Sequence, residues 1–234
     1  MGNEMMDLDQ LAVYLQRDVR EVVKLASRGY LPGHKVSGQW RFARAEINHW
    51  IETQLPDFTE QQLTALETKG AADSDHGAIV SALLPQDCVA IPLAASTRAS
   101  VLRELVRLAE RSWQVYDAPA ILEAIRLREE MASTALESGV AIPHPRRPLP
   151  AALGESLVAY GRTASGVPFG EPHGHLTDIF FLVCCQDERT HLRVLARLSR
   201  LLLRPGFVSE LRSAETAAQT WQLIHAAENE LTGG

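Results

Sequence analysis

The sequence of 234 residues has few of the features that mark specialised classes of protein. It has only three cysteines, Cys88, Cys184 and Cys185, and this odd, sparse count excludes a disulfide scaffold and favours reduced, buried thiols. No stretch approaches the roughly 20 apolar residues of a bilayer span. Residues 1–10 lack the basic start and apolar centre of a signal peptide. We therefore expect a cytoplasmic protein without membrane contact.

A surplus of basic charge is also missing. Lys plus Arg total 23 and Asp plus Glu total 29, so the net charge of −6 excludes a uniformly basic nucleic-acid coat, although a local basic face remains open. Basic and acidic residues balance within residues 1–55, and the remainder carries the whole net charge. This asymmetry indicates two parts with separate tasks.

Composition divides the chain into a first part at 1–55, a linker at 56–77 and a second part at 78–234. Within the linker, Thr59 followed by Gln62 has the pattern of a capping box and predicts a short helix. Residues 70–77 contain only Gly, Ala, Asp, Ser and His, which is typical of a flexible connection.

The second part alternates between strand and helix signals, which predicts an α/β domain with a mostly covered sheet. Strands are expected at 140–142, 155–161 and 178–185, and helices at 97–111, 119–130, 190–203, 207–213 and 215–230.

The first part has the pattern of two short helices followed by a hairpin. Apolar residues at helical spacing predict a helix over 8–15, and Asp18 is a good N-cap for a second helix over 19–27 that Gly29 ends. Two short alternating segments on either side of Ser37-Gly38 predict a small wing. A closing helix follows over 43–53.

This pattern resembles the excisionase-like, MerR-related helix-turn-helix family, through the run Arg28-Gly29-Tyr30-Leu31-Pro32 and the wing end Trp40-Arg41-Phe42. The resemblance implies that the second helix enters the major groove of duplex DNA. It also implies that the wing, which carries Lys35 and Arg41, touches the DNA backbone or minor groove.

Three cations on the second helix fit a DNA-binding role. Arg20, Lys24 and Arg28 recur at four-residue spacing and supply an outward basic stripe, although the same stripe also fits an ordinary solvated face. Because the net charge of residues 1–55 is zero, one copy should bind weakly, which favours a homodimer.

The second part carries a histidine pattern suited to phosphoryl chemistry. His144 emerges from the end of the predicted strand 140–142, a rigid mount for a reactive side chain. Arg128 ends an earlier helix, and His191 opens the apolar helix after the strand 178–185, where free backbone N–H groups favour an anion. A neutral imidazole is a competent nucleophile, and a guanidinium and a second imidazole can donate to a phosphoryl group in transit.

These residues resemble the mannitol/fructose-type enzyme IIA family of the sugar phosphotransferase system, including its nitrogen-regulatory members. The matching stretches are Arg128-Glu129, Ser133-Thr134, Val140-Ala141-Ile142-Pro143-His144, Val167-Pro168-Phe169-Gly170 and Thr190-His191-Leu192. The resemblance implies an α/β fold with a mixed sheet flanked by helices. It implies that His144 accepts a phosphoryl group from the histidine phosphocarrier protein HPr or its paralogue, with Arg128 and His191 in support.

Two residues depart from that family's pattern. Glu137 stands where glycine is usual, and Pro145 follows His144 where glycine or another small residue is usual. Proline has no N–H and restricts the residue before it. Arg146 and Arg147 either compensate with side-chain donors or form a solvated basic loop. The sequence is therefore compatible both with a phosphorylated and with an unphosphorylated His144.

Three hypotheses follow for the whole chain. The leading one is a regulator that joins DNA binding to a phosphotransferase-sensing domain. The others are a working phosphocarrier with a protein-docking first part, and a IIA-like fold that binds a ligand or partner without phosphorylation. His173 and His175 form a polar loop that is read as solvent-exposed rather than as a zinc site, so no metal and no cofactor is assigned.

Overall fold

Residues 5–15, 17–68 and 77–233 are described by the structure, a computed structural model. The chain divides into two units, Met1–Phe58 and Thr59–Gly234. Most of the flexible connection predicted at 70–77 lies outside the described residues, so the proposed linker stays a prediction. Within the described ranges, none of the helices combines the length and the apolarity that crossing a bilayer requires.

The first unit is a small helix-turn-helix with a three-stranded antiparallel sheet, strand order β1-β3-β2. Its elements are β1 (Met5–Met6), α1 (Leu8–Leu15), α2 (Val19–Ser27), β2 (His34–Val36), β3 (Gln39–Ala43) and α3 (Arg44–Gln54). The predicted wing is confirmed as the hairpin of β2 and β3. The pairing of β1 with β3 was not predicted, because a two-residue strand is too short to show alternation.

Local sequence signals explain how the first unit is shaped. Asp18 caps α2 by accepting a hydrogen bond from the amide of Arg20 at 2.8 Å. Gly29 takes φ +74° just after α2, and Ser37 and Gly38 take φ +52° and +81°, which suits a tight two-residue hairpin turn. The core of the unit consists of fully or almost fully buried apolar side chains: Leu11, Val22, Phe42, Ile47 and Ile51.

The helix predicted at the start of the linker is present as α4 (Glu60–Thr68), and it belongs to the second unit. Its capping box is formed: the amide of Thr59 donates to Gln62 at 2.9 Å, and the amide of Gln62 donates to the Thr59 hydroxyl at 3.4 Å. Leu63 is fully buried. Glu67 of the same helix is almost fully buried and pairs with Arg200 at 2.7 Å.

The second unit contains a mixed four-stranded sheet in the order β4-β6-β7-β5. The strands are β4 (Val89–Ala90), β5 (Val140–Ala141), β6 (Leu157–Val167) and β7 (Thr177–Cys184). β6 and β7 are antiparallel, whereas β4 runs parallel to β6 and β5 runs parallel to β7. The mixed sheet is therefore confirmed, although β4 was not predicted and β6 is longer than the pattern at 155–161 suggested.

Helices cover this sheet, as the sequence predicted. They are α5 (Arg98–Ala109), α6 (Ala118–Met131), α7 (Glu188–Leu203), α8 (Phe207–Ser213) and α9 (Ala217–Thr232). The three cysteines are free and buried. Burial raises the pKa of Cys88 to about 11 and that of Cys185 to about 12, so both remain protonated and unreactive near neutral pH.

Candidate functional site

His144 sits on a backbone segment that the sheet holds in place. β5 pairs with β7 through Ala141 and Phe180, and the Val183 amide of β7 donates to the Pro143 carbonyl at 3.0 Å. The extended pairing therefore continues beyond β5 up to the residue before His144. A side chain mounted in this way has little freedom to drift.

The imidazole of His144 is oriented by its own backbone. Its Nδ1 lies 2.7 Å from the carbonyl oxygen of Ile142. A carbonyl oxygen only accepts, so Nδ1 carries the hydrogen, and in the neutral ring the lone pair is on Nε2. The contact selects the nitrogen that can act as a nucleophile.

His191 lies beside His144, as the sequence interpretation requires. The two ring centroids are 5.1 Å apart and the ring planes meet at 61°, an edge-to-face arrangement. His191 belongs to the first turn of α7, and its amide donates to the Asp187 carbonyl at 3.1 Å. Two distant parts of the sequence thus deliver two imidazoles to one place.

The start of α7 differs from the expectation that its backbone N–H groups are free for an anion. The Asp187 carboxylate caps the helix and accepts from the Thr190 amide at 2.9 Å. The His191 amide is also used, by the Asp187 carbonyl. A capping carboxylate already supplies negative charge at this helix end, so anion binding there depends more on the His191 side chain than on the backbone.

Arg128 lies in the last turn of α6, where the sequence placed it. Its side chain is buried, with the residue only 5% exposed, and its Nη1 donates to the carbonyl of Ala132 at 2.8 Å. This bond caps the end of α6 and fixes the guanidinium. Its predicted convergence on His144 stays a prediction.

The residue next to Arg128 organises the same region and was assigned no role from sequence. Glu129 is 2% exposed, and its Oε2 accepts from Arg98 at 3.0 Å and from the Thr134 amide at 3.2 Å. The Thr134 hydroxyl donates to the other carboxylate oxygen. These bonds tie the segment before β5 to the end of α6. In the sequence, only the Arg128-Glu129 and Ser133-Thr134 pairs pointed to this region. No sequence pattern predicted Arg98 as a partner of Glu129.

The predicted DNA-binding residues form two sets in the first unit. Arg20, Lys24 and Arg28 are exposed on or just after α2, which agrees with an outward basic stripe. On the wing, the Lys35 ammonium lies 5.2 Å from the centre of the Trp40 ring, and Arg41 donates to Gln39 at 3.0 Å. All five cations therefore lie on α2, immediately after it or on the hairpin, as the sequence predicted. Their contacts with DNA stay a prediction.

Comparison with known proteins decides the family. The model of the family described as phosphoenolpyruvate-dependent sugar phosphotransferase system, EIIA 2, matches residues 82–227. The chain belongs to this enzyme IIA family. A helix-turn-helix domain model matches residues 5–55, in agreement with the excisionase-like resemblance.

Individual IIA relatives agree with this assignment. The chain is 29% identical to a fructose-specific EIIABC component from Bacillus subtilis over 58% of its own length, but it spans only 21% of that larger protein. It is 29% identical to the nitrogen regulatory protein of Pseudomonas aeruginosa, over 55% of this chain and 83% of that one.

A solved structure supports the fold. The nitrogen regulatory protein IIA-Ntr from Neisseria meningitidis superimposes with a TM-score of 0.57 at 22% identity, over 63% of this chain and 99% of that one.

Proposed function

We propose that this chain is a cytoplasmic regulator in which the IIA domain accepts a phosphoryl group on His144 and the helix-turn-helix domain binds duplex DNA. The histidine phosphocarrier protein HPr, or a paralogue, is the phosphoryl donor. The proposed phosphorylation of His144 is supported above all by the contact between His144 Nδ1 and the Ile142 carbonyl, because this contact leaves Nε2 as the nucleophile. The IIA relatives, among them a nitrogen regulatory protein, support the same reading.

The transfer step follows from that tautomer. The lone pair of His144 Nε2 attacks the phosphorus of a phosphohistidine donor, and a new P–N bond forms as the donor's P–N bond breaks. The electron pair of the broken bond returns to the donor's ring, so neither an oxidant nor a metal ion is needed for balance. The Ile142 carbonyl stabilises the positive charge that develops on the His144 ring, because it accepts from Nδ1–H.

The neighbouring groups have supporting roles in this proposal. His191, whose ring centre is 5.1 Å from that of His144, donates a ring N–H to an equatorial oxygen of the phosphoryl group. Arg128, held by the carbonyl of Ala132, supplies a fixed positive charge at the end of α6. Neither group forms a covalent bond to phosphorus.

The first prediction concerns Pro145, which removes the backbone N–H directly after His144. The wild type should be phosphorylated slowly by HPr, and Pro145→Gly should raise the rate severalfold, up to the ~10²-fold that one donor to a developing oxyanion provides. The measurement is the initial rate of radiolabel transfer from phosphoenolpyruvate through enzyme I and HPr.

Two controls separate the amide from other effects of glycine. Pro148→Gly frees the backbone of the same loop without creating an N–H next to His144, so its rate should match that of the wild type. Pro145→Gly combined with His144→Gln should give no labelling. Equal rates for wild type and Pro145→Gly contradict the role assigned to the amide.

The second prediction concerns DNA binding by α2. Replacing Arg20 and Lys24 together by alanine should weaken binding to duplex DNA and reduce the slope of log affinity against log salt by about two, if each contacts a phosphate. The measurement is fluorescence anisotropy of a labelled duplex across a salt series.

A matched control removes two positive charges from the second unit. Arg103 and Arg107 are exposed on α5 of the second unit, and replacing both by alanine should leave the salt slope unchanged. Full binding with an unchanged slope in the Arg20 and Lys24 variant places the recognition surface elsewhere. Equal losses in both double variants show that only net charge matters.

A further inference from the structure

Three side chains with metal-binding chemistry form a group that does not include His144 or His191. One ligand atom each from Glu137, Glu171 and His173 lie within 4.8 Å of one another. The sequence predicts only that His173 and His175 form a solvent-exposed polar loop, and it indicates no ligand role for Glu137. The structure brings them together from two loops, one before β5 and one between β6 and β7.

The loop between β6 and β7 is built around the carboxylate of Glu171. This side chain is 1% exposed, and its Oε2 accepts from the amide of His173 at 2.8 Å and from the amide of His175 at 2.9 Å. Gly174 takes φ +82°, which lets the chain turn back around the carboxylate. One carboxylate is thus fixed in position, with both histidines on the loop that surrounds it.

The second loop brings another carboxylate to the same place. Glu137 lies in the turn closed by a hydrogen bond from the Gly139 amide to the Leu136 carbonyl at 3.0 Å. Its Oε1 is 3.5 Å from His173 Nε2, and both side chains are about 70% exposed, at 72% and 68%. Because they project into solvent, they can rotate to accommodate a ligand without disturbing the core.

The charges of the cluster favour a divalent cation. Two of the three side chains are carboxylates, which supply negatively charged oxygen ligands, and the third supplies an imidazole nitrogen. The exposed contact between His173 and Glu137 contributes little to stability by itself. A cation that binds all three side chains neutralises both carboxylates at once.

We propose that Glu137, Glu171 and His173 bind one Zn²⁺ ion. Imidazole together with carboxylate oxygens is a donor set that suits zinc. Zinc bonds of about 2.0–2.2 Å place donor atoms roughly 3.3 Å apart. The exposed side chains of Glu137 and His173 therefore need to close by only about 1.5 Å. His175, whose Nδ1 is 3.8 Å from Glu171 Oε2, is within reach as the fourth ligand.

The ion has a structural role in this proposal. It links the loop between β6 and β7 to the turn that leads into β5. These two segments also contact each other through His173 and Glu137. Because zinc binding is measured without a phosphoryl donor, its failure leaves the proposed phosphorylation of His144 untouched.

The test uses the full chain, stripped of metal with a chelator and titrated with zinc chloride. We expect one equivalent of bound zinc by calorimetry. His173→Ala and Glu137→Ala should each weaken binding at least ~10-fold, the lower end of what even an outer-sphere partner contributes. His34→Ala, which removes an exposed histidine from the first unit, is the matched control and should bind as the wild type does.

Thermal unfolding provides a second readout. Zinc at about 100 times its dissociation constant should raise the melting temperature of the wild type by roughly 5–10 °C and that of His173→Ala much less. Absence of stoichiometric zinc in the wild type overturns the proposal. Undiminished binding in His173→Ala and Glu137→Ala also overturns it, because the ion then lies elsewhere.

Discussion

Replacing Glu228 by alanine should lower the free energy of unfolding of the second unit by about 3–5 kcal/mol. Glu228 is fully buried on α9, and its Oε1 accepts from the amides of Ile79 and Val80 at 2.8 and 2.9 Å and from Arg197 at 2.9 Å. Its Oε2 accepts from the Ser81 amide at 2.7 Å and the Ser81 hydroxyl at 2.5 Å. Alanine removes the acceptor that all of these donors share.

Hydrogen exchange of the β7 amides measures this loss, because β7 is a central strand of that unit. Glu230→Ala on the same helix is the matched control. Glu230 pairs with Arg204 at 2.7 Å, but its side chain is 63% exposed, so its removal should cost at most about 1 kcal/mol. Similar losses of unfolding free energy in Glu228→Ala and Glu230→Ala contradict the stabilising role assigned to the buried Glu228 carboxylate.

The same residue predicts a dependence on pH. Burial opposes ionisation of Glu228, but the hydrogen bonds from the Ser81 side chain and from the amides of residues 79–81 outweigh it and hold its pKa below the ordinary value of 4.5. A lowered folded-state pKa gives stability that is present above the unfolded value and is lost as pH falls through the folded value. The difference in stability between wild type and Glu228→Ala should therefore shrink below about pH 4.5.

The parts of the fold that sequence predicted well depend on local chemistry. Asp18 before α2, the Ser37-Gly38 turn and the Thr59-Gln62 capping box each act within a few residues, and each appears in the structure as expected. Two-residue strands such as β4 have no periodicity to detect. Their existence depends on the partner strand, which lies far away in sequence.

In the candidate site, too, local sequence patterns predicted some features, whereas others depend on residues far apart in the sequence. The Val-Ala-Ile-Pro-His run and the apolar helix after β7 identified His144 and His191, and the two rings are indeed neighbours. The partnership of Arg98 with Glu129 spans 31 residues, and the bond from Ile79 to Glu228 spans 149. No local pattern indicates which buried carboxylate receives which donor, because that choice is made by tertiary packing.

The cluster around Glu171 was missed for a related reason. Loop histidines in isolation are usually solvated, and Glu137 stands out in the sequence only as a departure from a family pattern. Their common position follows from the parallel pairing of β5 with β7, which brings the loop before β5 beside the loop before β7.

The largest functional effect is expected at His144. His144→Gln keeps a hydrogen-bonding side chain of similar size but removes the nucleophilic ring nitrogen, so it should abolish phosphorylation altogether. His34→Gln makes the same change at an exposed position of the first unit and should leave phosphorylation intact. The contrast between these two variants isolates the imidazole that the Ile142 carbonyl orients.

The most direct test of the proposed function is the intact mass of the full chain after incubation with phosphoenolpyruvate, enzyme I and HPr. We predict that wild type and His34→Gln each gain the mass of one phosphoryl group and that His144→Gln gains none. A wild type that is never modified, or a His144→Gln variant that still is, contradicts the assignment of His144 as the phosphoryl acceptor.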